Sequence, residues 1–356
     1  MTSPTPVAVP AALTAVAAPV EARLRSILES ERSRWVAVDS DLEAPLNVLT
    51  RFIVDGGKRL RPAFCHWAFV GAGGMADDPA IIDTGAAFEL LHAFALVHDD
   101  VMDGSSTRRG EPTVHIAFDA EHSSNQWNGE SRRFGEGVAI LVGDLAEVYA
   151  DRLMSNAPRA AFEIWNELKI ELNIGQFLDV LGAARGEVDL ATARRIVCYK
   201  SGKYTIERPL HVGAALAGCL DELQVPLSRY GEPLGEAFQL RDDMLGIFGD
   251  PSVTGKPAGD DVREGKRTVL MAMTLERADQ ASAAKITAAL GREDLTSDQI
   301  EEVRALITAT GAVKVVEDLI EGLLSNALTA ANSDEIDPTA RELLIELATS
   351  ATRRSH

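Results

Sequence analysis

The sequence predicts an all-α protein. Its long segments are rich in Ala, Leu, Glu and Arg, which favour helices. Aromatic residues make up only 5% of 356 residues, and no stretch shows the strict alternation of a half-buried strand. No internal repeat is present. At 46% hydrophobic, the chain can bury one large core or two modest ones. We expect a single domain over 20–356 behind a flexible arm over 1–19.

The arm, MTSPTPVAVPAALTAVAAP, lacks a basic start and is interrupted by Pro4, Pro6 and Pro10, so it does not read as a signal peptide. Helical patterning runs from Val20 to Trp35 and again from Leu42 to Val54. Gly56 and Gly57 then break it, and Pro62 suits the first turn of the next helix. Lys58 and Arg61, three apart near that N-terminus, can both face an anion. A turn at Gly71–Gly74 precedes a helix starting near Pro79.

That helix holds the stretch on which the chemistry depends. From Ala86 to Met102 it is apolar on nearly every side, as a buried helix would be. Yet it carries Asp99, Asp100 and Asp103, and buried carboxylates are costly unless paired or bound to metal. At 100° per residue, Asp99 and Asp103 share one face, with His92 and Phe88 below them. Hard oxygen ligands at this spacing suit Mg²⁺ bridging to a phosphate. Arg108 and Arg109 follow, as an anionic ligand requires. Taken alone, an acidic helix end reaching solvent is the plainer alternative.

A polar segment over 119–135 reads as a mobile loop. Helices are expected at 137–156, 158–182, 189–220 and 226–248. The third contains Lys200 and Ser201, and the fourth ends in a second acidic cluster with Gln239, Asp242 and Asp243. A basic loop with Lys256 and Lys266 follows, then amphipathic helix with breaks at Gly291, Gly311 and Asn332.

Charge excludes one large class of partner. Lys and Arg total 35 against 54 Asp and Glu, a net charge of −19, so nucleic acid is not expected. Cys65, Cys198 and Cys219 are scattered and odd in number, which fits buried thiols in a reducing cytoplasm. No run of about 18 apolar residues free of charge occurs, so no membrane span is expected.

In order, GGKRLRP, DDVMD with RRG, the Lys200-Ser201 pair, and FQLRDD with GKP and EGKRT resemble the trans-isoprenyl diphosphate synthase, or polyprenyl synthetase, family. The resemblance spans about Leu42 to about Leu270. It implies long helices around a deep central cavity, usually in a homodimer, with two acid-rich helices facing each other at the mouth. On the matching positions it implies that Asp99, Asp103 and Asp242 bind Mg²⁺, supported by Asp100 and Asp243. About three ions per site are implied, with Mn²⁺ as a substitute. An allylic diphosphate (dimethylallyl, geranyl or farnesyl) would be held with the help of Arg108, Lys200, Gln239, Lys256 and Lys266. Ser201 keeps the hydroxyl of the family's Lys-Thr pair. Isopentenyl diphosphate would sit among Lys58, Arg61, His92 and Arg109.

The sequence departs from the family's DDxxD pattern at Gly246, and Asp250, in a Gly-Asp-Pro sequence, is not expected to replace that carboxylate directly. An aromatic and a small residue, Phe94 and Ala95, precede the first acidic motif as in relatives making the C20 product. Phe88 is an independent candidate floor: it lies eleven residues below Asp99 on one face, roughly 16 Å. An isoprene unit advances about 5 Å. The expected product is geranylgeranyl diphosphate, with farnesyl diphosphate or a longer chain as the alternative. A class I terpene cyclase would carry a different metal motif where FQLRDD stands, and a non-catalytic subunit would have lost its acids, of which five of six remain.

Overall fold

The computed structural model describes residues 10–186, 189–250 and 259–353. The chain begins with α1 (Ala11–Val36), α2 (Glu43–Val54), α3 (Leu60–Gly71) and α4 (Pro79–Asp103). Next come α5 (Val114–Ser124), α6 (Ser131–Met154) and α7 (Arg159–Arg185). Then follow α8 (Leu190–Ile196), a π-helical segment (Val197–Glu207), α9 (Arg208–Leu216) and α10 (Leu220–Phe248). Helices α11 (Asp260–Arg263), α12 (Val269–Arg277), α13 (Gln280–Ala289), α14 (Ser297–Ala309), α15 (Ala312–Ala331) and α16 (Pro338–Thr352) complete the described chain. The fold is all-α, as predicted.

Helix α4 is central because its sequence leaves it no solvent-facing side over most of its length. Pro79 opens it, the Asp78 carboxylate accepts from the Ala80 N–H, and Gly104 ends it in the left-handed region. Ala86, Ala87, Phe88, Leu90 and Leu91 are fully buried, and α4 packs against α3 and α6. It is long and apolar enough to cross a membrane, but 61% of its apolar stretch is buried inside the protein. The buried apolar residues form two clusters, and α10 contributes to both.

Four expectations are corrected. Residues 11–19, predicted as part of a flexible arm, are helical in α1; the first nine lie outside the described residues. The segment is held because Ala12, Leu13 and Val16 are buried. In addition, the Ala11 and Ala12 N–H groups donate to Glu346 at 3.1 and 3.0 Å. The predicted loop over 119–135 contains the end of α5 and the start of α6. There Phe118, His122, Trp127 and Phe134 stack on one another, an aromatic cluster that polar neighbours hide from periodicity.

A two-residue antiparallel hairpin pairs Thr107–Arg108 with Glu111–Pro112, where no strand was expected. Arg109 and Gly110 both have positive φ, the requirement of a tight hairpin turn. Finally, the helix expected over 189–220 is three pieces, with Lys200 and Ser201 in the π-helical middle one. Glycines at both neighbours explain it. A Cβ at Gly175 of α7 would stand 2.4 Å from the Lys200 nitrogen, and one at Gly235 of α10 would stand 2.7 Å from Gly202 Cα. The segment is pressed between two backbones.

Candidate active site

A cavity of about 1770 Å³ opens among α1, α3, α4, α7, α8, the π-helical segment, α10, α11 and α16. Of the sequence-predicted residues, Lys58, Arg61, His92, Ala95, Asp99, Arg108, Arg109, Lys200, Ser201, Gln239, Asp242, Asp243 and Lys266 line it. Lys256 lies outside the described residues. Asp250 is exposed and not part of the lining.

On the α4 wall, Asp99 Oδ1 accepts from Lys200 Nζ at 2.9 Å and from Gln176 Nε2 at 3.0 Å. Lys200 also donates to Asp179 at 2.6 Å. Burial would raise the Asp99 pKa, but Lys200, then Lys266 and Arg108, hold it well below the usual carboxylate range. Asp103 is lifted to about 6 by burial and by Asp99 beside it. Its Oδ2 is buried with no hydrogen-bond partner and lies 3.5 Å from Lys266 Nζ. Asp100 has a different task from its neighbours. It is 1% exposed and faces Arg108, whose Nε reaches both carboxylate oxygens at 2.9 and 2.8 Å and whose Nη2 donates at 2.6 Å. It therefore anchors the Arg108 guanidinium, and neither Asp100 nor Asp103 is among the residues lining the cavity.

On the facing wall, Gln239 Nε2 donates to Asp243 Oδ1 at 2.7 Å, while Asp243 Oδ2 is buried without a hydrogen-bond partner. Burial pushes the Asp243 carboxyl up to about 8. Lys266 joins the walls: its Nζ lies 2.8 Å from Glu264 and 3.7 Å from Asp261, besides its contact to Asp103. Burial disfavours its charge, but Asp261, Glu264, Asp103 and Asp99 hold its pKa well above the ordinary value.

A second, basic region opens onto the same cavity. Gly56 and Gly57, at φ 151° and 101°, admit Arg109 and Arg59 so closely that a Cβ at either glycine would stand 3.0 to 3.1 Å from a guanidinium nitrogen. Arg109 Nη1 donates to the Phe52 carbonyl at 3.0 Å. Arg61 donates to Thr205 Oγ1 at 2.9 Å and lies over the Tyr204 ring at 4.2 Å. His92 contacts the Tyr204 hydroxyl at 3.4 Å. Burial, then Arg61 and Arg109, keep His92 neutral.

The chain-length candidates separate. Ala95 lines the cavity with Leu96 and Leu172. Phe88 is fully buried with its ring edge-on to Trp165 at 5.2 Å, and Phe94 packs on His98 at 4.6 Å. Neither phenylalanine is among the residues lining the cavity. The helical arithmetic gave the face but not the packing that fills it. Gln176, Asp179, Tyr204 and Asp261 were missed. For Gln176 and Asp179 a signal existed: two polar residues three apart in the otherwise apolar stretch around Ile174 to Val180.

The donor set fits Mg²⁺ held together with a phosphate ligand. Among the described residues no three His, Cys, Asp or Glu converge to hold an ion by themselves. Mg²⁺ usually takes one or two carboxylates and completes its shell with waters and substrate phosphates. The orphaned oxygens of Asp103 and Asp243, and the lysines that stand in as cations beside Asp99 and Asp103, match that demand.

An all-α chain with two acidic walls around a deep, partly basic cavity defines the isoprenoid-synthase class of architecture. The profile of the polyprenyl synthetase family matches residues 43–307, and the chain belongs to that family; it is a prenyltransferase. It is 33% identical over 280 residues to the geranylgeranyl diphosphate synthase of Mycobacterium tuberculosis, covering 77% of this chain and 74% of that one. It is 30% identical over 299 residues to the geranylfarnesyl diphosphate synthase of Aeropyrum pernix, covering 81% and 87%. Its fold matches the crystal structure of geranylgeranyl pyrophosphate synthase from Corynebacterium glutamicum, complexed with isoprenyl diphosphate and magnesium, with a TM-score of 0.92 and 36% identity over 96% of this chain and 99% of that one.

Proposed function

We propose that this prenyltransferase makes mainly geranylgeranyl diphosphate (C20), joining isopentenyl diphosphate head-to-tail to dimethylallyl, geranyl and then farnesyl diphosphate. One observation carries the proposal: acids from two walls meet through Lys266, and the basic residues Lys58, Arg61 and Arg109 line the same cavity. Asp99, Asp103 and Asp242 would hold Mg²⁺, which when bound would neutralise charge gathering on the departing diphosphate. Arg108, Lys200 and Lys266 receive the same charge from fixed positions. Lys58, Arg61 and Arg109 hold the isopentenyl diphosphate, so the reacting carbons are brought together before any bond changes. The allylic C–O bond breaks and its electron pair leaves with diphosphate. The isopentenyl double bond supplies the pair for the new C–C bond, and a proton is then lost to the released diphosphate. Ala95, Leu96 and Leu172 give the cationic carbon an apolar wall that excludes water.

The C20 assignment draws on the Phe94-Ala95 pair and on the C20 relatives; the C25 relative names the competing outcome. Incubation with Mg²⁺, labelled isopentenyl diphosphate and each of the C5, C10 and C15 primers is expected to yield C20. Products well beyond it would overturn the length, and no elongation from any primer would favour a non-catalytic subunit.

We also propose a homodimer. Ile170, Ile174 and Phe177 form an exposed stripe at helical spacing on α7, and Leu141 and Val148 do so on α6. Phe177→Asp is expected to convert a dimeric sedimentation profile to a monomeric one. The free thiols of Cys65, Cys198 and Cys219 support a cytoplasmic setting.

A further inference from the structure

The second acidic wall lacks a carboxylate in sequence but not in space. Position 246, one turn after Asp242 on α10, is glycine and lies on the cavity wall. A Cβ there would stand 1.9 Å from Oδ2 of Asp261, 2.3 Å from its Cγ and 2.8 Å from Oδ1. The carboxylate of Asp261, carried by α11, therefore fills the volume into which a side chain at 246 would project. It is held there by its element, since the Asp261 carbonyl accepts from the Lys266 N–H at 2.9 Å. The Asp261 side chain is only 12% exposed, and it lines the cavity beside Asp242. A cation already bridges the walls through it: Lys266 Nζ lies 3.7 Å from Asp261 Oδ1 and 3.5 Å from Asp103 Oδ2 on α4. Nearby, Asp243 Oδ2 is buried without a hydrogen-bond partner, an oxygen whose demand an ion would meet.

We propose that Asp261 is a metal ligand of the second wall, taking the place of the carboxylate that position 246 lacks, and that Gly246 is the opening that admits it. This rests on the reading of the cavity as a metal–diphosphate site. It has a counter-intuitive consequence. Gly246→Asp, which completes the DDxxD pattern on paper, drives a side chain into the Asp261 carboxylate and sets two negative charges against each other. It should weaken the site rather than improve it.

The test is Mn²⁺ binding to the full chain in the presence of inorganic diphosphate, followed by electron paramagnetic resonance, so that the readout is affinity and not turnover. Asp261→Asn keeps the shape of the side chain. It is expected to weaken Mn²⁺ binding by about 10- to 100-fold while the metal-free melting temperature stays that of the wild type. Gly246→Asp is expected to weaken it comparably. The double variant Gly246→Asp/Asp261→Gly returns the carboxylate to α10 and removes the clash, and it is expected to bind more tightly than either single variant. If Asp261→Asn binds Mn²⁺ as the wild type does, or if the double variant is no better than the weaker single one, Asp261 is only the counter-ion of Lys266 and the proposal falls. A wild-type protein that takes up no Mn²⁺ with diphosphate would instead sink the metal–diphosphate reading itself.

Discussion

Adjacent aspartates with different partners should fail in different ways. Asp99 faces the cavity and shares Lys200 with Asp179, so Asp99→Ala leaves Lys200 with a partner. We expect turnover to drop by at least about 10²–10³-fold with the melting temperature nearly unchanged. Asp100 is buried and is the nearer of two carboxylates beside Arg108, at 2.6 Å against 3.8 Å for Asp99. Asp100→Ala removes the bidentate partner of Arg108 and leaves it only the more distant Asp99, a loss of about 1–3 kcal/mol. It should appear in thermal denaturation before it appears in kinetics. The identity of these residues was legible in sequence because apolar surroundings made each carboxylate conspicuous. Their division of labour was not, since it depends on a hairpin that turns Arg108 back over Asp100, and two-residue strands leave no periodic trace. Asp261 was illegible for another reason. Gly246 registers in sequence as a loss, and only the packed helices reveal what fills the space.

At the scale of the element, the π-helical segment ties fold to chemistry. It presents Lys200, Ser201 and Tyr204 to the cavity only because α7 and α10 approach it at glycines. Gly175→Ala would place a methyl group 2.4 Å from the Lys200 nitrogen. Backbone cannot yield as a side-chain tip can, so the segment must shift. We expect a loss of about 1–3 kcal/mol in stability, together with a kcat decrease larger than any change in KM, because Lys200 bonds Asp99 on the cavity wall. A denaturant melt combined with steady-state kinetics would check both; a stable variant with unaltered kcat would mean that Lys200 position is not critical. The helices themselves were largely legible from period and composition. The change of helical pitch was not, because a glycine marks a close approach only when its neighbour in space is known. The same applies to α1, whose first turns are anchored by Glu346 from the far end of the chain.

For the whole molecule, buried titratable groups set how stability follows pH. Burial lowers His66 and His211 to about 4, so the folded protein refuses protons that the unfolded chain accepts below about 6.5. The unfolded state then binds more protons, and stability falls as pH drops from about 6.5 towards 4, by up to about 1.4 kcal/mol per pH unit for each histidine. Asp243 and Asp103 act in the opposite sense. Raised to about 8 and about 6, they favour the folded state as pH falls through those values, so the total curve of the metal-free protein is flatter than the histidines alone would make it. The histidine contribution is isolated by difference. In chelator, urea unfolding of the wild type and of His66→Leu should diverge with pH, the variant losing less stability between pH 6.5 and 4 by about 1.4 kcal/mol per unit. Parallel curves would mean that His66 titrates in the folded protein as it does in the open chain. With Mg²⁺ and diphosphate added, deprotonated carboxylates are favoured. The opposing contribution of Asp103 and Asp243 should then shrink, leaving a steeper acid limb to which proton-linked loss of the metal and diphosphate also contributes.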